Sequence, residues 1–226
     1  MKAVCLLSGG LDSAVCLYSA LKEGHQCTAL SFDYGQRHTK EIAAAAEIVR
    51  TLGIAHHVLN ISLPWGGSAL TDRKMKIPAG RSEKEMAAGI PDTYVPARNS
   101  IFLTYALSLA EAEGSDFVYI GANAVDYSGY PDCRPEYFNA MQKLFDLATK
   151  VGTEGRKITI KTPLLHLSKK EIVILGAGLG VPFEKTWSCY QGGEFACGLC
   201  DSCLLRAKGF REANVRDTAM TAAVRR

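Results

Sequence analysis

The chain has 226 residues, 47% of them apolar, which suits one domain, or one domain plus a small appendage, with material for a sizeable core. Its 26 basic and 23 acidic residues leave a net charge of +3, too balanced to supply the field that holds DNA or an anionic membrane surface. The apolar beginning is interrupted by Ser8, Gly9, Gly10 and Asp12 and has only Lys2 as a basic start, so it does not read as a signal peptide, and no run approaches the ~18 apolar residues of a membrane span. A cytoplasmic protein is expected.

Residues 2–7 form a short apolar run that ends at Gly9-Gly10, the pattern of a buried strand. A helix is expected over 13–23, with Val15, Leu17, Tyr18 and Leu21 on its apolar side and Gly24 as its stop. Cys27–Asp33 reads as a second strand, Thr39–Leu52 as an alanine-rich helix closed by Gly53, and His57–Ile61 as a third strand. This alternation predicts an α/β fold, a parallel sheet flanked by helices. Residues 62–95 break it with Pro64, Gly66, Gly67, Pro78, Gly80, Gly89 and Pro91, leaving room for one short helix near 82–88. Long loops on such scaffolds often lie over an active site. The alternation resumes with a helix near 98–112, a strand at 116–121, a helix at 135–150 and a strand at 157–161. A further helix over 169–177 follows, where Ser168 and Glu171 have capping-box spacing.

The segment Ser8-Gly9-Gly10-Leu11-Asp12-Ser13 joins the first strand to the first helix. Glycines there let the backbone turn its N–H groups toward an anion, and the helix start adds free donors and the positive end of its dipole. Ser8 and Ser13 bring hydroxyls, and Asp12 is placed to hold a magnesium ion or orient phosphates. No Gly-Lys-Ser/Thr follows, so this is not a Walker A loop, and the G-x-G-x-x-G spacing of dinucleotide folds is missing. The string resembles the S-G-G-x-D-S loop of the ATP-pyrophosphatase superfamily. That resemblance implies an adenine-nucleotide-hydrolase-like (HUP-type) fold that holds the β and γ phosphates of ATP and cleaves between α and β. Ser31-Phe32-Asp33-Tyr34 is a weaker candidate for the adenine.

Arg98, in Val95-Pro96-Ala97-Arg98-Asn99, has two readings: a bidentate grip on a carboxylate or phosphate, or a helix-start residue in a surface ion pair. The loop 121–134 leaves a strand on the same sheet edge as the glycine bend, and offers Asp126, Tyr127, Tyr130, Asp132 and Arg134 to a flat heterocycle. Cys133 differs from Cys5, Cys16 and Cys27 in lying in a polar segment, so it is not assigned to packing. Lys161, at a strand end, is either a neutraliser of leaving pyrophosphate or a solvated lysine. His56, His57 and His166 read as structural; His38, after Gln36-Arg37, is a weaker site candidate.

Cys189, Cys197, Cys200 and Cys203 crowd into fifteen residues, enough thiolates for a closed tetrahedral zinc site, with Gly198 in the turn. Four protein ligands leave no open position, so the zinc is expected to be structural; an iron–sulfur cluster is the alternative. Asp201 is expected to start a helix running to about Arg211. The compositional shift near residue 186 separates an expected nucleotide-binding α/β domain, residues 1–185, from a C-terminal four-cysteine region, residues 186–226.

Taken in order, the bend Ser8–Ser13, Phe32-Asp33-Tyr34-Gly35-Gln36-Arg37-His38, Val95–Asn99, Asp126-Tyr127-Ser128-Gly129-Tyr130-Pro131-Asp132-Cys133-Arg134 and Thr186-Trp187-Ser188-Cys189-Tyr190 with the later cysteines resemble the 7-cyano-7-deazaguanine synthase family, over residues 2 to about 212. The resemblance implies a ligase that takes 7-carboxy-7-deazaguanine, ammonia and ATP with magnesium to the nitrile precursor of queuosine. It also implies one zinc per chain and a homodimer, with neither a membrane nor a nucleic acid as partner. The tail Asp217-Thr218-Ala219-Met220 departs from the family's Asp-Pro-Thr and following aromatic, which leaves its docking unassigned. Two rival readings stand beside this one: an enzyme of the same superfamily that adenylates a tRNA base, and a zinc-ribbon module that only senses nucleotide.

Overall fold

The first strand, β1 (Lys2–Leu6), sends alternate side chains to opposite faces of a sheet. Val4 and Leu6 enter one apolar cluster, while Ala3, Cys5 and Leu7 enter another. A strand buried on both faces reads as a continuous apolar run, which is why 2–7 lacks polar alternation. The computed structural model describes residues 1–125 and 129–219.

Around β1 lie β2 (Gln26–Asp33), β3 (Ala55–Asn60), β4 (Phe117–Tyr119) and β5 (Thr159–Lys161), in the order β3-β2-β1-β4-β5. All pairs are parallel, with Lys2 opposite Gln26, Ala3 opposite Phe117, Thr28 opposite Ala55 and Tyr119 opposite Lys161. The chain builds outward from β1 through β2 to β3, then returns to the other side of β1 with β4. Such a reversal opens a crevice beyond the carboxyl ends of β1 and β4.

One face is covered by α4 (Arg98–Glu113) and α5 (Pro135–Ala148), through Leu103, Ala106 and Leu107 and through Phe138, Met141 and Phe145. Phe145 is 1% exposed; truncating such a phenylalanine to alanine costs about 3–5 kcal/mol. The other face carries α1 (Leu11–Lys22), α2 (Lys40–Leu52) and α7 (Lys169–Gly178). Phe210 of α8 (Asp201–Ala213) joins that second cluster, so the cysteine-bearing helix packs on the sheet domain.

The expected elements are present with small shifts: α1 begins at Leu11, two residues earlier than expected, and β3 at Ala55. The capping box at Ser168 and Glu171 forms, and a second one at Ser82 and Glu85 starts the short α3 (Glu83–Met86). A further short helix, α6 (Lys150–Thr153), follows α5. The irregular stretch before α4 is pinned from below. Arg37 donates to the carbonyls of Ala69 and Asp72 at 2.6 and 3.0 Å and to that of Met75, and Arg81 pairs with Asp201.

The tail is docked despite its divergent sequence. Arg206, 3% exposed, donates to the Asp217 carboxylate at 2.6 and 2.9 Å and to the Thr186 hydroxyl at 2.8 Å. The pairing needs only the aspartate, so loss of the proline and aromatic does not remove it. Met220 lies outside the described residues.

Candidate active site

Gly9 sets the shape of the first bend. Its φ is +88°, and a Cβ there would sit 2.0 Å from the Glu41 carbonyl oxygen and 2.7 Å from the Ala45 nitrogen of α2. Only glycine permits both the dihedral and the approach. From the other side Trp187 donates its backbone N–H to the Gly9 oxygen at 2.9 Å. Gly10, the N-cap of α1, offers no side-chain cap, so the first turn of the helix keeps its N–H groups for a ligand. Ser8 Oγ and Ser13 Oγ lie 3.0 Å apart, and Ser13 Oγ donates to the Gly10 oxygen at 3.1 Å.

Asp12 does not stand alone. Lys169, the first residue of α7 and 6% exposed, places its Nζ 2.9 and 2.8 Å from the two carboxylate oxygens. Its stem passes over Gly209 of α8, where a Cβ would meet the Lys169 Cγ at 2.5 Å. A lysine at a helix N-terminus opposes the macrodipole; the Asp12 charge offsets this.

On the opposite wall the half-buried Arg98 donates to the Tyr34 hydroxyl at 3.2 Å and has no ion pair among the described residues. The preceding Ala97 has φ +53°, an uncommon value for a side chain with a Cβ, and its N–H is held by the Tyr94 hydroxyl at 2.9 Å. Asn99 ties three groups together: its N–H donates to Asp132 Oδ2 at 3.1 Å, and its amide donates to the Asp132 carbonyl at 2.9 Å and to Cys133 Sγ at 3.4 Å. Burial raises the Asp132 carboxyl and pushes the Cys133 thiol up to about 12. Cys133 is buried and lies on the wall of the cavity between this cluster and the glycine bend, which sets it apart from Cys5, Cys16 and Cys27. Tyr130 shares a 2.7 Å hydrogen bond with Thr93.

These walls enclose a cavity of about 240 Å³, lined among others by Ser8, Gly10, Asp12, Ser13, Arg98, Asn99, Tyr130, Cys133 and Lys169. Phe32 and Phe102, which stack at 4.1 Å, line it too. The bend and the tyrosine loop thus open on one space, at the crevice between β1 and β4. Other candidates lie elsewhere. Lys161 holds its Nζ 5.1 Å from the Phe117 ring, Arg134 is exposed at the N-cap of α5, and neither lines the cavity. The pyrophosphate reading of Lys161 gives way to Lys169 on this placement. His38 bonds the Cys189 carbonyl at 2.9 Å and lines a smaller side pocket. Asp126 and Tyr127 lie outside the described residues.

Sequence reasoning missed Lys169, Glu41 and Arg206, all of which line the cavity. A lysine directly after a capping serine was the available signal for the first. Glu41 carried none; burial pushes its carboxyl up to about 7.

The ligand atoms of Cys189, Cys197, Cys200 and Cys203 lie within 4.8 Å of one another. Backbone N–H groups of Gln191 and Cys197 point at Cys189 Sγ at 3.4 and 3.3 Å, and those of Leu199 and Cys200 at Cys197 Sγ at 3.4 and 3.3 Å. Such donors stabilise thiolate charge, and four converging sulfurs fit a tetrahedral metal site. Trp187, Ser188, Tyr190 and Ser202 of this region also line the cavity.

A glycine bend with an uncapped helix start at the crevice of a parallel sheet defines an α/β enzyme of the adenine-nucleotide-hydrolase type. The same fold occurs in NMN synthetase from Francisella tularensis, with a TM-score of 0.51 and 18% identity over 98% of this chain and 81% of that one. Residues 2–214 match the family described as "Queuosine biosynthesis protein QueC". Among similar proteins, the 7-cyano-7-deazaguanine synthase of Trichodesmium erythraeum is 55% identical over 97% of this chain and all of its own length. That of Hydrogenovibrio crunogenus is 54% identical over 98% of this chain and 96% of its own. The chain belongs to the QueC family, ATP-dependent ligases of queuosine biosynthesis. The tRNA-adenylating and nucleotide-sensing readings yield to that assignment. Among the described residues no helix is long and apolar enough to cross a membrane.

Proposed function

We propose that this chain makes 7-cyano-7-deazaguanine by activating the carboxylate of 7-carboxy-7-deazaguanine with ATP inside the cavity between the glycine bend and Arg98. The reading rests on one observation: the bend, the Asp12–Lys169 pair, and Arg98 with Asn99, which Asp132 holds, all face that space. In this reading the β and γ phosphates lie along Ser8–Ser13, held by the free N–H groups of α1 and the two serine hydroxyls. Magnesium bound with ATP supplies further charge neutralisation, and Asp12 is the carboxylate that would hold it. Lys169 then turns from Asp12 to the departing pyrophosphate, where a buried cation acts without solvent reorganisation. Arg98 and Asn99 position the substrate carboxylate, Asp132 holds Asn99 in place, and Tyr130 meets the heterocycle; Asp126 and Tyr127 remain candidates from the sequence for the same task.

A carboxylate is a poor electrophile, and adenylation gives it AMP as leaving group. Ammonia attacks the acyl carbon and forms an amide; a second activation at the amide oxygen lets that oxygen leave and the nitrile form. The four cysteines of the proposed C-terminal region hold a structural zinc, which orders Trp187, Ser188, Tyr190 and Ser202 as a wall of the cavity beside the proposed nucleotide domain of residues 1–185. A homodimer in the reducing cytoplasm fits this assignment.

The test is direct. Purified protein is mixed with ATP, magnesium, ammonium and 7-carboxy-7-deazaguanine, and the products are read by mass spectrometry. The nitrile is expected, and its formation should not need added tRNA.

A further inference from the structure

Beside the main cavity lies a pocket of about 40 Å³. Tyr34, Gln36, Glu41, Leu70, Arg98 and Tyr190 line both spaces, so the two share a wall; Arg37 and His38 line only the smaller one. Its volume is enough for a guest of water or ammonium size, since about 10–15 Å³ of such space admits one water.

Two polar groups of that wall lack a partner among the described residues, the Glu41 carboxyl and His38 Nδ1, whereas Arg37, Gln36 and Arg98 are committed. Arg37 is spent on three backbone carbonyls, Gln36 bonds the backbone of Tyr34 at 2.8 Å and of Phe32 at 3.3 Å, and Arg98 bonds the Tyr34 hydroxyl. The Glu41 carboxyl has no hydrogen-bond or ion-pair partner among the described residues. Half-buried and without a partner, this carboxyl is open to a donor that arrives with the substrates.

We propose that the side pocket is the ammonium site of this enzyme, and that Glu41 takes a proton from the bound ion and passes ammonia into the main cavity. The inference rests on the activity proposed above. The ion gives one proton to the Glu41 carboxylate. The freed lone pair forms the C–N bond at the acyl carbon as the C–O bond to AMP breaks, and the surplus proton of the new amide nitrogen leaves with AMP. Charged or titratable groups facing Glu41 are Tyr34, Arg37, His38, Arg98, Cys189 and Tyr190. Burial is the main cause that raises the Glu41 carboxyl, against the lowering effect of Arg98. A triphosphate in the adjoining cavity adds negative charge and strengthens its hold on a proton.

The experiment compares wild type with Glu41→Gln in three measurements. Exchange of labelled pyrophosphate into ATP, dependent on 7-carboxy-7-deazaguanine and run without ammonium, reports adenylation alone. Nitrile formation against ammonium concentration reports the pocket. Hydroxylamine, largely uncharged at neutral pH, reports amine attack that needs no prior deprotonation. Glu41→Gln should keep the exchange, lose about 100-fold in ammonium-dependent rate, and form the hydroxamate at nearly the wild-type rate. An unchanged ammonium dependence overturns the inference, as does equal loss with hydroxylamine or loss of exchange in the variant. Absence of exchange in the wild type would instead overturn the adenylation reading.

Discussion

Lys169 and Asp12, 157 residues apart in the chain, form a two-pronged ion pair at 2.9 and 2.8 Å that joins the start of α7 to the first turn of α1. The lysine side chain is 7% exposed and the aspartate 21%, so the pair is screened from water on one side and open to the cavity on the other. This is the arrangement expected of a cation held ready for phosphate: the carboxylate keeps it aimed until a stronger anion arrives.

Replacing Lys169 by methionine keeps the stem over Gly209 and removes the charge. Pyrophosphate release should fall about 10²–10³-fold, the usual cost of losing one preorganised electrostatic contact. Steady-state pyrophosphate release, with circular dichroism as a folding check, measures it. A variant that retains wild-type turnover would remove Lys169 from the chemistry.

The cysteine site should carry close to one zinc per chain, and elemental analysis distinguishes it from iron. Cys200→Ser removes a ligand at the N-cap of α8 and should lose the metal. Because metal binding supplies folding energy to such segments, the 186–213 region should then become the first site of proteolysis. Iron with visible absorption would replace zinc by a cluster.

The Arg206–Asp217 pair is more buried than Asp12–Lys169, with side-chain exposures of 4% and 10%. Asp217→Asn leaves the arginine charge under-compensated, a change that costs about 3–5 kcal/mol in buried pairs. For a chain of this size that lowers Tm by about 6–20 °C. Thermal denaturation reads it, and a shift under 2 °C would mean the tail contributes little.

The nucleotide bend was legible in the sequence because its physics is local: two glycines, two hydroxyls and an acid between a buried strand and a helix. The cysteine cluster was legible for the same reason, its ligands lying within fifteen residues. What escaped depends on partners far along the chain. Lys169 acquires meaning only when α7 packs beside α1, and Glu41 only when α2 closes on Gly9. Lys161 was misplaced by counting strand ends without faces: it pairs with Tyr119, whose side chain joins the α1–α7 cluster, and so turns away from the cavity.

Glu41 also gives stability a pH dependence. Burial pushes its carboxyl up to about 7 in the folded chain against 4.5 ordinarily, so between those values the folded state binds more protons than the unfolded one. Stability therefore falls as pH rises from about 4.5 to about 7, by at most about 3 kcal/mol from this group. His38 and His56, both lowered by burial, act in the opposite sense. The difference between wild type and Glu41→Gln in urea melts at pH 5 and pH 7.5 isolates the carboxyl. The variant should gain relative stability at the higher pH; parallel behaviour at both would place Glu41 in open solvent.

The phosphorus that the substrate attacks decides the chemistry of the cavity. Heavy-oxygen label in the carboxylate of 7-carboxy-7-deazaguanine, followed through a single turnover with ATP and ammonium, records it. Label carried into AMP, with unlabelled pyrophosphate, is the predicted result, since the bend holds the β and γ phosphates and leaves the α phosphorus exposed to the acid. Label in inorganic phosphate, with ADP as the nucleotide, would contradict it.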